Sequence, residues 1–147
     1  MRIYLDVCSL NRLTDDQNQP RIREEAEAVE SIFRLIRESK LEWLSSVALH
    51  AEVERNPNVE RRREVQVLLS LAAKTILLDP AIVERARALE LAGYGAFDAL
   101  HLSFAEASGV EVLLTTDDRC VSRAARGVAS PRLRVLNPVT WLRELIV

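Results

Sequence analysis

Short apolar runs alternate with longer segments of helical periodicity along almost the whole chain. Ile3-Tyr4-Leu5 reads as a buried strand. After a polar stretch from Asp15 to Pro20, Ala26, Val29, Ile32, Phe33 and Ile36 recur at helical spacing and predict an amphipathic helix over 21–39. A second short strand is expected over 41–45, then a helix over 47–55 with Ser45 or Ser46 as its N-cap. Asn56-Pro57-Asn58 is a turn, and Val65, Leu68, Leu69 and Ala72 share one face of a helix over 59–73. A third strand over 75–78 leads to Asp79-Pro80, where proline suits an early helical position. Gly93-Tyr94-Gly95 interrupts before a helix over 96–107 that Gly109 closes. A strand over 110–114, a helix over 117–126, a strand over 133–136 and a helix from Pro138 complete the pattern.

This alternation predicts an α/β domain with a twisted, mostly parallel central sheet of about five strands, covered by helices on both faces as three layers. Sites in such sheets form beyond the carboxyl ends of the strands, near the point where strand order reverses. Residues just after strands therefore carry the functional question.

Composition narrows the classes. A chain of 147 residues that is 48% hydrophobic suits a single domain, 1–147, able to bury a core without disulfides or metal staples. Its net charge of −2 excludes a strongly basic nucleic-acid coat protein and a charge-driven disordered tail. No apolar run approaches the ~20 residues that span a bilayer, so no membrane association is expected. An acid already at position 6 argues against a signal peptide, and a cytoplasmic protein is expected. Cys8 and Cys120 make no disulfide framework and read as small buried residues.

Four acids stand where a site should form. Asp6 follows the first strand, Asp117 follows the fourth across Thr115-Thr116, Asp98 opens the helix after the glycine-rich break, and Glu52 lies on the helix after the second strand. Each also has an ordinary reading, as a helix cap, a first-turn acid or a solvated face residue. Asp98 is the most informative, because Ala96-Phe97-Asp98-Ala99-Leu100-His101-Leu102 surrounds it with mostly apolar neighbours and a desolvated acid needs a partner. Clustered carboxylates repel and raise one another's pKa. A hard divalent cation, Mg²⁺ or Mn²⁺, resolves that conflict. Two such ions about 4 Å apart can activate water and stabilise the leaving oxygen in phosphodiester cleavage.

Ile3-Tyr4-Leu5-Asp6, Ser46 with Glu52, Phe97-Asp98-Ala99-Leu100-His101-Leu102, and Leu113-Leu114-Thr115-Thr116-Asp117-Asp118 together closely resemble the PIN-domain family over essentially the whole chain. That family contains metal-dependent ribonucleases, many of them VapC-like toxins of toxin–antitoxin pairs. The resemblance implies that Asp6, Glu52, Asp98 and Asp117 form an acidic Mg²⁺- or Mn²⁺-binding and catalytic quartet. It further implies an RNA substrate cut to leave a 3′-hydroxyl, a cognate antitoxin as partner, and a homodimer. Asp118 competes with Asp117 as a ligand, and position after Thr-Thr favours Asp117. Glu54 competes with Glu52, whose spacing from Ser46 fits the family better. The family often carries a small polar residue directly after the first acid, whereas here Val7 and Cys8 precede Ser9.

Substrate contacts are expected from Thr116, whose hydroxyl can orient a water or phosphate, and from Arg119, Arg123 and Arg126. These belong to a stretch from 119 to 134 holding five arginines and no acid, which suits guidance of RNA phosphates. A solvated basic face is the ordinary alternative, and it is the reading for Arg61-Arg62-Arg63 between Glu60 and Glu64. His101 reads as a satisfied core histidine, and His50 as a surface residue or one behind the site. Scarce aromatics, 5% of the chain, argue against a base-stacking platform. Two rival functions remain: a catalytically inactive domain of the same fold that binds RNA or protein, and a phosphoacceptor receiver domain. The receiver expects an acidic pair after the first strand and a lysine after the last, neither of which is present.

Overall fold

The computed structural model describes residues 1–145. Five strands form one sheet: β1 (Arg2–Leu5), β2 (Glu42–Ser46), β3 (Lys74–Ile76), β4 (Val112–Leu114) and β5 (Arg134–Leu136). Their order is β3-β2-β1-β4-β5, and every pairing is parallel. The chain builds outward from β1 to β3, then crosses back to β4 on the other side of β1. The switch point thus lies between β1 and β4, where Leu5 is in register with Leu114. The expected acids at 6 and 117 follow these two strands.

Eight helices surround the sheet among the described residues: α1 (Val7–Asn11), α2 (Pro20–Arg37), α3 (Val47–Glu54), α4 (Val59–Leu69), α5 (Pro80–Leu91), α6 (Ala96–Ala107), α7 (Asp118–Ala125) and α8 (Pro138–Leu145). Their starts have local causes. Ser46, Asn58, Asp79 and Asp117 each accept a backbone N–H from the first turn they cap, and Pro20 and Pro80 sit in the first turn of α2 and α5. Gly109 takes a positive φ of 68° where α6 ends, as its position beyond the apolar pattern suggests.

Side chains alternate across the strands and so build two cores. Ile3, Leu5, Val112 and Leu114 pack with Val29, Ile32, Phe33 and Ile36 of α2 and Trp141 of α8. Tyr4 and Leu113 face the opposite layer with Ile82, Leu89, Ala99, Leu102 and Phe104 of α5 and α6. Burial on both faces explains why these strands read as unbroken apolar runs.

The structure departs from the pattern in three places. α1 has no apolar periodicity to announce it, being only five residues long, and Asp6 nucleates it as N-cap. α4 ends at Leu69, four residues early, because Ala73 N–H donates to the Trp43 carbonyl at 2.8 Å and draws the chain into the sheet edge. Leu77 and Leu78, expected in the third strand, lie beyond it and are exposed.

Candidate active site

Asp6 leaves the end of β1 almost fully buried, at 2% exposure. Its Oδ1 accepts the Ser9 backbone N–H at 3.0 Å, and its Oδ2 accepts a short hydrogen bond from the Thr115 hydroxyl. Ser9 Oγ in turn donates to the Leu114 carbonyl at 3.0 Å, joining α1 to β4. Ser9 therefore acts on the acid through its backbone N–H while its hydroxyl reaches β4. Burial pushes the Asp6 carboxyl above its ordinary range, against the lowering effect of these hydrogen bonds.

Thr115 also accepts the Asp117 backbone N–H at 3.1 Å, so one hydroxyl ties the first acid to the turn that presents the fourth. Asp117 caps α7, its Oδ1 accepting from Arg119 N at 2.9 Å. Asp98, half-buried on the first turn of α6, is raised to about 7, first by burial and then by the charges of Asp6 and Asp117. The nearby Asp117 side chain thus favours the protonated form of Asp98.

Glu52 completes the group from α3. Its Oε1 lies 2.7 Å from His101 Nε2, and His101 Nδ1 lies 2.7 Å from the Tyr4 hydroxyl. His101 is thus a satisfied buried histidine, as expected. Burial raises the Cys8 thiol pKa, and the charges of Asp6, Glu52, Asp98 and Asp117 add to the rise. Cys120 is buried and Cys8 only half-buried, and both thiols are free.

Asp118 points elsewhere. Its two oxygens accept from the Arg21 guanidinium at 2.8 Å each, an exposed bidentate pair that holds its carboxyl below the ordinary range. Glu54 is exposed and Glu52 is not. Among the described residues, the arginine and lysine ion pairs include Asp118 but not Asp6, Asp98 or Asp117.

Such a donor set fits a hard divalent cation. All four groups are carboxylates, and burial, with the charges of Asp6 and Asp117 added, raises the Asp98 carboxyl to about 7. Among the described residues no group of three or more His, Cys, Asp or Glu side chains is arranged to hold a metal ion. An open arrangement suits Mg²⁺, which keeps several waters and takes only one or two carboxylates directly.

Two grooves flank the acids. One, about 580 Å³, is lined by Arg12, Gln19, Arg21, Ile22, Thr116, Asp117, Asp118 and Arg119. The other, about 240 Å³, runs past Glu52 with Val7, Asn11, Arg55, Asn56 and Arg62. Thr116 and Arg119 thus stand beside the acids, although the hydroxyl that reaches Asp6 belongs to Thr115. Arg119, Arg123 and Arg126 share one side of α7 by their spacing. Arg123 is half-buried, and a Cβ on Gly93 would sit 3.7 Å from its Nε, while Arg126 is exposed. The rest of the basic stretch is neutralised, since Arg134 pairs bidentately with Glu144 and Arg132 approaches Glu106.

The Arg61-Arg62-Arg63 run is not a solvated face throughout. Arg61 Nε donates to Thr14 Oγ1 at 2.9 Å and its Nη2 pairs with Asp15, pinning the loop after α1 to α4. Arg62 donates to the Asn56 carbonyl at 3.0 Å, and Arg63 alone is exposed. His50 is half-buried, and its Nε2 has no hydrogen-bond partner among the described residues.

Fold and site define a parallel α/β domain with acidic side chains placed at the carboxyl edge of its sheet. The PIN domain family profile matches residues 3–127, and the chain belongs to that family, whose members are generally nucleases that use divalent metal ions. No curated protein sequence matches it. Among solved structures it is similar to VapBC2 from Rickettsia felis, bound to a DNA fragment from its promoter. That likeness has a TM-score of 0.59 and 16% identity, over 93% of this chain and 98% of the other. It is also similar to PAE2754 from Pyrobaculum aerophilum, with a TM-score of 0.56 and 19% identity over 100% and 91% of the two chains. At these identities the likeness establishes the fold. Among the described residues no helix is long and apolar enough to cross a membrane.

Proposed function

We propose that the chain acts as one domain, a Mg²⁺- or Mn²⁺-dependent endoribonuclease that hydrolyses RNA phosphodiester bonds. Membership of the PIN family supports the nuclease class. The observation that carries the metal-dependent reading is the placement of Asp6 and Asp117 at the ends of β1 and β4, tied together through Thr115, with no arginine or lysine paired to Asp6, Asp98 or Asp117 among the described residues. The similarity to a complex named VapBC2 favours the toxin of a toxin–antitoxin pair with a cognate antitoxin. A homodimer working in the cytoplasm completes the proposal.

A bound cation would supply Lewis-acid charge and lower the pKa of water at the site. Asp6, Glu52, Asp98 and Asp117 would hold it. Thr115 and the Ser9 backbone keep the Asp6 carboxylate in one orientation, so that little reorganisation is needed on binding. Asp117 Oδ1 caps α7, which would leave Oδ2 for the cation. Asp118 stays with Arg21 and stiffens the groove wall instead of entering the centre. Arg119, Arg123 and Arg126, with Thr116, would receive the phosphates on either side of the cleaved bond.

The test is cleavage of defined single-stranded and transfer RNAs with Mg²⁺, Mn²⁺ or EDTA, beside Asp98→Asn. Metal-dependent cleavage that vanishes in the variant is expected. A folded, antitoxin-free protein that cuts none of these RNAs under either metal would replace this reading with a non-catalytic binding domain of the same fold.

A further inference from the structure

His101 is buried one turn past Asp98, and both its ring nitrogens are engaged, Nε2 with Glu52 and Nδ1 with Tyr4. The contacts continue inward. The Tyr4 hydroxyl lies 2.6 Å from Ser46 Oγ, and Ser46 Oγ accepts the Leu49 backbone N–H at 3.1 Å.

Counting donors gives this chain of contacts a direction. The Leu49 N–H takes one lone pair of Ser46 Oγ. The Ser46 hydroxyl then donates to the Tyr4 oxygen, Tyr4 O–H donates to His101 Nδ1, and His101 Nε2–H donates to Glu52 Oε1, so each hydrogen is used once. The other tautomer sets a bare nitrogen against the Glu52 carboxylate and leaves the Ser46 hydroxyl proton with no acceptor in the relay, which a buried site tolerates poorly.

We infer that Ser46, Tyr4 and His101 form a positioning relay that fixes the Glu52 carboxylate, holding Oε1 against the imidazole and leaving Oε2 for a cation. This inference rests on the metal-dependent reading of the site. Its placement in the fold is specific. Tyr4 stands two residues before Asp6 on β1, Ser46 caps the helix that carries Glu52, and His101 stands three residues after Asp98. One buried relay therefore cross-links the three segments that bear Asp6, Glu52 and Asp98. Glu52 needs such a tether more than Asp6 does, because its side chain is longer and 22% exposed, with the like charge of Asp6 nearby. Without His101, that repulsion would favour rotamers turned toward solvent.

Two measurements test the relay without reading activity. Long-range ¹H–¹⁵N NMR on the metal-free wild type should show His101 as the Nε2–H tautomer, and an Nδ1–H or doubly protonated ring overturns the inference. Calorimetric titration with Mn²⁺ should show affinity falling 10- to 100-fold in Tyr4→Phe and His101→Leu, about what loss of an outer-shell partner costs. His101→Gln, whose amide can still donate to Glu52, should recover part of the loss. Tyr4→Phe removes a single oxygen and carries the test should His101→Leu fail to fold. Mn²⁺ binding that is lost in Glu52→Gln yet stays within twofold of wild type in Tyr4→Phe overturns the relay alone. A wild type with no Mn²⁺ affinity overturns the metal-dependent reading and the relay together.

Discussion

Replacing Asp98 by Asn should stabilise the metal-free protein at neutral pH while abolishing cleavage. The Asp98 carboxyl is moved from its ordinary 3.8 to about 7 by burial and by Asp6 and Asp117. It therefore binds its proton more tightly in the folded chain than in the unfolded one. Between about pH 4 and pH 7 the folded state holds the extra proton, so stability falls as pH rises through that window and stays low above it. A displacement of this size corresponds to about 4 kcal/mol. Because the group is only half-buried, solvent screening reduces the usable figure to about 2 kcal/mol. The neutral amide cannot ionise and escapes this penalty. At pH 7.5 in EDTA the variant should melt higher than wild type by on the order of 6 °C, and at pH 4.5 the two should nearly coincide. Mn²⁺ at about 100 times its dissociation constant should then add about 2.7 kcal/mol to wild type and much less to the variant, reversing their order. Thermal and urea unfolding from pH 4.5 to 8, with EDTA or Mn²⁺, reads all of this. Equal pH slopes for the two proteins in EDTA would refute the argument that burial beside Asp6 and Asp117 makes an ionised Asp98 destabilising.

Three further outcomes follow from the same geometry. Asp118→Asn should keep cleavage and cost under about 1 kcal/mol, since its pair with Arg21 is exposed, whereas Asp117→Asn should lose cleavage; parallel assays of the two variants decide which acid works in the centre. Leu114→Ala, in the fully buried middle of the switch point, should cost about 2–5 kcal/mol by urea denaturation. A loss below about 1 kcal/mol would contradict the tight packing of β1 on β4. Combined replacement of Arg119, Arg123 and Arg126 by Ala should raise KM for RNA, flatten its salt dependence and leave kcat little changed. An unchanged KM would remove α7 from the substrate path.

The sequence by itself determined the order and type of nearly every element and the positions of the four acids. Those features depend on local causes: apolar periodicity, capping residues at Ser46, Asn58 and Asp79, and prolines at helix starts, all of which act within a few neighbours. Helix α1 escaped because five residues are too few to show a period. The choice of Asp117 over Asp118 was legible only as a preference, since adjacent acids look alike until Arg21, 97 residues away, claims the second of them. The same holds for Arg61, whose partners on the loop after α1 no helical spacing reveals. Thr115 rather than Thr116 reaches Asp6 because β1 and β4 lie in register at Leu5 and Leu114, and register is a property of strand pairing. The link from Ser46 through Tyr4 and His101 to Glu52 likewise spans β1, β2, α3 and α6. Hydrogen bonds between residues so far apart in the chain exist only after the sheet has closed around β1. Tertiary packing therefore decided which polar groups meet, while local chemistry had already decided where along the chain they stand.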